Sequence, residues 1–132
     1  MQILFVCKHN RFRSKIAEAY FNKVNKNNRI KVSSAGLIKG IPVSKIIMGT
    51  AKKFGINMTK KTKGLDEKSL LSQDIIIIVA NNVPKSIFKR FNKKLIVWKL
   101  KDANAKDTNA VSGKIKEIMK KVERFVKGLE KK

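Results

Sequence analysis

Apolar residues along this chain fall into two kinds of pattern, and the two alternate from end to end. Short, nearly unbroken runs read as buried strands: QILFV at 2–6, IKVS at 30–33, DIIIIVA at 74–80 and LIVW at 95–98. The third run is apolar on both faces, which predicts a central strand in a sheet covered on both sides. Between the runs, apolar residues recur at helical spacing. Ile16, Ala17, Tyr20, Phe21 and Val24 share one face. Ile46, Ile47, Thr50, Ala51 and Phe54 share another, with Pro42 where that helix begins and Gly55 at its end. Val111, Ile115, Ile118, Val122, Phe125 and Leu129 form the stripe of a last helix over about 109–129. Shorter helices are predicted over 65–72 and 84–91. NKNNR at 25–29 reads as a turn, INMTKKTK at 56–63 as a basic loop, and KLKDANAKD at 99–107 as a polar loop.

Strand and helix alternation of this kind predicts an α/β fold: a three-layer α-β-α sandwich around a four-stranded parallel sheet. The 132 residues fit one domain spanning 1–132, without repeat or linker, ending in a frayed tail at Lys131 and Lys132.

Composition narrows the function classes. One Cys rules out an internal disulfide, and one Cys with one His gives too few soft ligands for a structural zinc site. The longest apolar run, 75–80, is too short to span a bilayer, and no signal peptide is visible. A monomeric protein of the reducing cytoplasm, off the membrane and without metal or cofactor, is the expectation. The net charge of +23 points to an anionic partner, whether nucleic acid, an acidic protein or an anionic substrate. The lysines are spread along the whole chain with many Asn and Ile, which a biased codon pool would produce equally well.

The unusual stretch is VCKHNRFRS, 6–14, which holds the only Cys and the only His. Cys7 falls at the carboxyl end of the first strand, the edge at which open parallel sheets bind ligands. Lys8, His9, Asn10, Arg11 and Phe12 form the turn, and a helix starts near Arg13. Loop and helix N–H groups would converge on one point, an anion site. Helix termini and nearby cations favour thiolate over thiol. Arg13, six residues after Cys7, has the guanidinium fork that grips two oxygens of a tetrahedral anion. Thiolate, N–H cradle and fork describe covalent phosphoryl transfer.

Cys-x5-Arg-Ser on a first strand–loop–helix resembles the low-molecular-weight protein tyrosine phosphatases and the related arsenate reductases. The resemblance extends to IAEAY after the loop, SSAG at 33–36, QDIIIIVA at 73–80 and VWKLKDA at 97–103. It implies that Cys7 attacks phosphorus while Arg13 and the loop N–H groups hold the equatorial oxygens. Ser14 would hydrogen-bond the sulfur. Asn10, tied to Ser34, would hold the loop in shape. Asp102 would protonate the leaving oxygen and then activate water; Asp107 competes by proximity, but with Thr108 it reads as the cap of the last helix.

The chain departs from that pattern in three places. His9 stands where the family usually has Gly, so any unusual backbone conformation there would fall on a histidine. Phe12 stands where many relatives carry a second Cys. Ala103 replaces the Pro that follows the acid, and the next residues, NAKD, lack the aromatics that line the mouth in many tyrosine phosphatases. The expected substrate is therefore a phosphorylated protein or small phosphomonoester, with Lys8, Arg11 and the basic loop favouring acidic partners. Two alternatives stay open. One is arsenate reduction with an external thiol, distinguished by assay with added glutathione. The other is a basic nucleic-acid-binding module that keeps the cradle, distinguished by a mobility shift near physiological salt.

Overall fold

In the computed structural model, which describes residues 1–131, four parallel strands form one sheet. They are β1 (Gln2–Cys7), β2 (Lys31–Gly36), β3 (Ile75–Val79) and β4 (Lys94–Trp98), in the order β2-β1-β3-β4. The four helices are α1 (Arg13–Val24), α2 (Lys45–Lys53), α3 (Glu67–Leu71) and α4 (Thr108–Glu130); a 3-10 helix covers Lys85–Phe91. The apolar run at 75–79 is wholly buried and sits inside the sheet, as its two apolar faces require.

Period-two alternation sorts the side chains of the two inner strands. Ile3, Phe5, Ile75, Ile77 and Val79 face one core, shared with α1, α2 and α4. Leu4, Val6, Ile76 and Ile78 face the other, covered by Leu70 of α3 and by Phe88 and Phe91 of the 3-10 helix. Each fully buried Ile stabilises the fold by about 1.5–3 kcal/mol. Phe5, Phe21, Trp98 and Phe125 bring their ring centroids to 5.9–6.2 Å of one another in successive pairs, locking β1, α1, β4 and α4 together.

The strand order places the site. From β1 the chain steps one way to β2, then back across β1 to β3 and on to β4. Right-handed crossovers put α1 on one face and α3 with the 3-10 helix on the other; α2, although it precedes α3 in the step back from β2, packs on the α1 side beside α4. The loop after β1 lies where the direction reverses, so a crevice opens beside Cys7.

Several boundaries differ from the sequence expectation. SSAG belongs to β2 rather than following it. Pro42 lies before α2, which starts at Lys45 under a Ser44 cap; Ile46 faces solvent while Ile47, Thr50 and Ala51 face the core. The 65–72 helix shortens to Glu67–Leu71 because Asp66 caps it, its side chain accepting from the Ser69 N–H. The 84–91 segment winds as a 3-10 helix closed by left-handed Asn92. Lys131 caps α4 instead of fraying; Lys132, the other residue of the expected tail, lies outside the described residues. No helix among the described residues is long and apolar enough to cross a membrane.

Candidate active site

The turn 8–12 is shaped by where its carbonyls go. Those of Cys7, Lys8 and His9 accept from the N–H groups of Leu37 (2.9 Å), Ile38 (2.9 Å) and Gly40 (3.1 Å). In a trans peptide the N–H opposes the C=O, so the N–H groups of Lys8, His9 and Asn10 point the other way. Phe12 occupies the N-cap of α1 and offers no side-chain oxygen to the first turn. Among the described residues, the N–H groups of His9 through Ser14 serve no internal hydrogen bond. They are left for a ligand, and the positive end of the α1 dipole adds to them.

Asn10 adopts φ 57°, a left-handed conformation that asparagine tolerates better than most residues. His9 does not, so the strain expected where Gly is missing does not arise; the turn reverses one residue later. The Asn10 amide is fixed on every side. Its Oδ1 accepts from the Lys63 N–H (3.0 Å), and its Nδ2 donates to Ser14 Oγ (2.8 Å) and Ser34 Oγ (2.9 Å). The Ser34 hydroxyl in turn donates to Glu18 Oε1 at 2.6 Å. Ser14 Oγ stands 3.0 Å from Cys7 Sγ and already accepts from Asn10. With one lone pair taken by Asn10, the Ser14 hydroxyl is able to donate to a thiolate, which can only accept. The chain Glu18–Ser34–Asn10–Ser14 thus holds Ser14 Oγ against the sulfur.

Arg13 is 2 % exposed. Its Nη1 donates to the Leu100 carbonyl (2.9 Å) and its Nη2 to Asn82 Oδ1 (3.1 Å). Its Nε lies 3.8 Å from Asp102 Oδ1, a long contact to an exposed carboxylate. Two of five donors are therefore used, and a buried cation is left without a close counter-ion. Asp102 Oδ1 also accepts from the Ala103 N–H (2.9 Å), and Oδ2 has no hydrogen-bond partner among the described residues. Asp107 caps α4 through the Ala110 N–H (3.1 Å).

Cys7, His9, Arg11, Phe12, Arg13 and Asp102 line one cavity of about 190 Å³, closed by Ile47, Ala103 and Ala105. Asn10, Ser14 and Ser34 lie buried beneath it. Lys8 is half-buried and does not line it. A larger cavity of about 400 Å³, between 25–30 and the end of α4, holds neither Cys nor Arg and is remote from this chemistry.

Three partners escaped the sequence reading. Asn82 follows β3 at the same sheet edge as Cys7, and that placement was its signal. Glu18 stands four residues after Ser14 on α1 and so shares its face. The 59–63 segment reads as a solvated basic loop but is a brace. Lys63 N–H holds Asn10, and buried Lys15 donates to Thr59 Oγ1 (3.0 Å) and the Lys61 carbonyl (2.6 Å). Burial pushes the Lys15 pKa below the usual lysine value, against the opposing pull of Glu18.

Gly36 sits under this loop. A Cβ there would come within 2.6 Å of His9 C and 2.7 Å of Asn10 N, backbone atoms that cannot swing away. Gly36→Ala is expected to cost about 1–3 kcal/mol of stability and to open the cradle, with phosphate affinity falling alongside the melting temperature. Unchanged phosphate affinity, by calorimetry, would show that the loop tolerates the shift.

Comparison with known proteins gives a consistent picture. The family model described as "Low molecular weight phosphotyrosine protein phosphatase" matches residues 2–132. The YwlE arginine phosphatase from Geobacillus stearothermophilus superposes with a TM-score of 0.83 at 17% identity, covering 98% of this chain and 93% of that one. A low molecular weight protein tyrosine phosphatase from T. tengcongensis gives 0.83 at 22%, covering 97% and 99%. An arsenate reductase from Archaeoglobus fulgidus gives 0.75 at 25%, covering 94% and 98%. Among curated proteins, no sequence matches the chain.

Proposed function

Because the chain belongs to the low molecular weight phosphotyrosine protein phosphatase family, a family of cysteine-dependent phosphatases, we propose that it hydrolyses phosphomonoesters through a phosphocysteine on Cys7. The observation that carries this reading is a thiol and an under-neutralised guanidinium sharing one cavity, with free N–H groups between them. The sulfur attacks phosphorus and the bond to the leaving oxygen breaks. Asp102 gives that oxygen a proton. Arg13 and the N–H groups hold the three equatorial oxygens, where charge is spread in the transition state. Asp102 then takes a proton from water, the hydroxyl attacks phosphorus, and the S–P bond breaks. Ser14 stabilises the departing thiolate. Phosphate and the starting enzyme are recovered, and no step calls on a metal.

Cys7→Ser is expected to abolish turnover of p-nitrophenyl phosphate, because an alkoxide is a far poorer leaving group from phosphorus than a thiolate. Retained steady-state turnover by that variant would overturn the reading.

A second reading has a specific support, the 25% identity to an arsenate reductase. The same cradle fits a tetrahedral arsenate. With Cys7 the only thiol of the chain, the reducing equivalents must come from an external thiol. Arsenite production that depends on added glutathione, without phosphatase turnover, would favour it.

A further inference from the structure

The chemistry above leaves one cation at the cavity unused. Arg11 lines the wall beside Cys7. Its Nε–H donates to the Ile41 carbonyl at 3.1 Å and its Nη2 to the Pro42 carbonyl at 3.2 Å. Its stem crosses Gly40, where a Cβ would stand 2.7 Å from Arg11 Cγ and 2.9 Å from Cδ. A side chain at position 40 would have to displace the arginine. Among the described residues Arg11 forms no ion pair. A guanidinium held by two carbonyls, seated over a glycine and lacking a counter-ion is pre-organised for an anion, with three N–H donors uncommitted.

The rest of the wall says what kind of anion. The reacting phosphoryl group already has Arg13 and the loop N–H groups. Beyond the turn and Asp102, the cavity is lined by Ile47, Ala103 and Ala105, which are small or aliphatic; of the two rings in the turn, Phe12 is buried in the core and His9 is exposed. Asp102 is the sole acid among the lining residues. Apart from Arg13, Arg11 is the strongest polar handle the wall offers to the alcohol portion. We propose that Arg11 is a specificity-determining residue that selects phosphomonoesters whose alcohol carries a second anionic group, a carboxylate or another phosphate, close to the ester. The proposal rests on the phosphatase reading and names the substrate class of the same site. A guanidinium suits either group, since both offer two oxygens to its planar fork.

The test compares kcat/KM for phenyl phosphate, 3-carboxyphenyl phosphate and 1,3-phenylene bisphosphate at low ionic strength. The wild type is expected to prefer each anionic ester by about tenfold or more, as a charged hydrogen-bonded pair provides. Arg11→Gln should bring both ratios near one. Arg11→Lys, which keeps the charge without the fork, should fall between. Dividing the wild-type ratio by that of each variant removes the electronic effect of the substituent on the leaving group. Added salt should shrink the wild-type preference. Preference for one anionic ester alone supports the proposal and identifies the group. No preference, or a preference that survives in Arg11→Gln, overturns it while phenyl phosphate turnover keeps the phosphatase reading intact. Absence of turnover with all three esters overturns both.

Discussion

Arg13→Lys is expected to lower turnover of p-nitrophenyl phosphate by about 10²–10³-fold, the usual cost of losing one donor aimed at developing charge. The substitution keeps the positive charge, so it tests geometry. The guanidinium is planar and two of its donors are spent on Leu100 O and Asn82 Oδ1. Those two bonds fix the plane, and the remaining edge can then meet two phosphoryl oxygens in parallel. An ammonium can satisfy the carbonyl or the phosphate, but not both in a fixed plane. Some loss of stability is expected, about 1.5–3 kcal/mol for each charge-assisted bond forfeited. Circular dichroism should still report a folded chain. If Arg13→Lys keeps most of the wild-type rate, the clamp is not a fork and the assignment of Arg13 fails.

Asp102→Asn is expected to act according to the leaving group. A positioned general acid contributes about 10²–10⁴-fold, and most where the departing oxygen is strongly basic. Phenyl phosphate hydrolysis should therefore fall by about that factor, while p-nitrophenyl phosphate, whose phenolate leaves without help, should lose far less. The alkaline limb of the kcat/KM profile should disappear, since it reports the loss of the acid's proton. Geometry separates Asp102 from Asp107. The former stands at the cavity rim, with one oxygen anchored and the other without a partner among the described residues; the latter is occupied in capping α4. Asp107→Ala should cost about 0.5–2 kcal/mol of stability and leave the pH profile alone. An Asp102→Asn enzyme with a normal alkaline limb, beside an Asp107→Ala enzyme lacking one, would sink the assignment.

How much of this could be read from residues follows from how local each signal is. IIIIV declares a central strand by itself, because no other place in a soluble fold hides both faces. Cys7 and Arg13 are six residues apart across one strand–helix junction, so their meeting is a local event. The conformation of the turn is not. The family pattern, with Gly at this place, puts the strain on His9, yet the left-handed angle falls on Asn10. That choice is made by Lys63 and Ser34, which hold the Asn10 amide from segments far along the chain. Asn82 and Leu100 meet Arg13 only because β3 and β4 end beside β1. The seven residues 85–91 show an apolar spacing that a 3-10 helix satisfies as well as an α-helix, and periodicity over so short a span does not distinguish them.

The bracing of the turn from both sides has a consequence for how the molecule comes apart. The carbonyls of residues 7–9 are tied to 37–40, and Asn10 is tied to 34 and 63. The first tie continues β2, the second also joins Gly36 N–H to the Lys63 carbonyl, and β1 itself is an inner strand. No part of the cradle can open without peeling sheet hydrogen bonds or exposing the cores on either face of β1. Catalytic loops often belong to the least stable cooperative unit of an enzyme. This one is braced by the most stable unit: the amide protons of Leu37, Ile38, Gly40 and Lys63 that hold the turn are expected to exchange only when the sheet opens, while the unbonded N–H groups of the turn itself exchange freely through the cavity, and the anion site persists for as long as the sheet does.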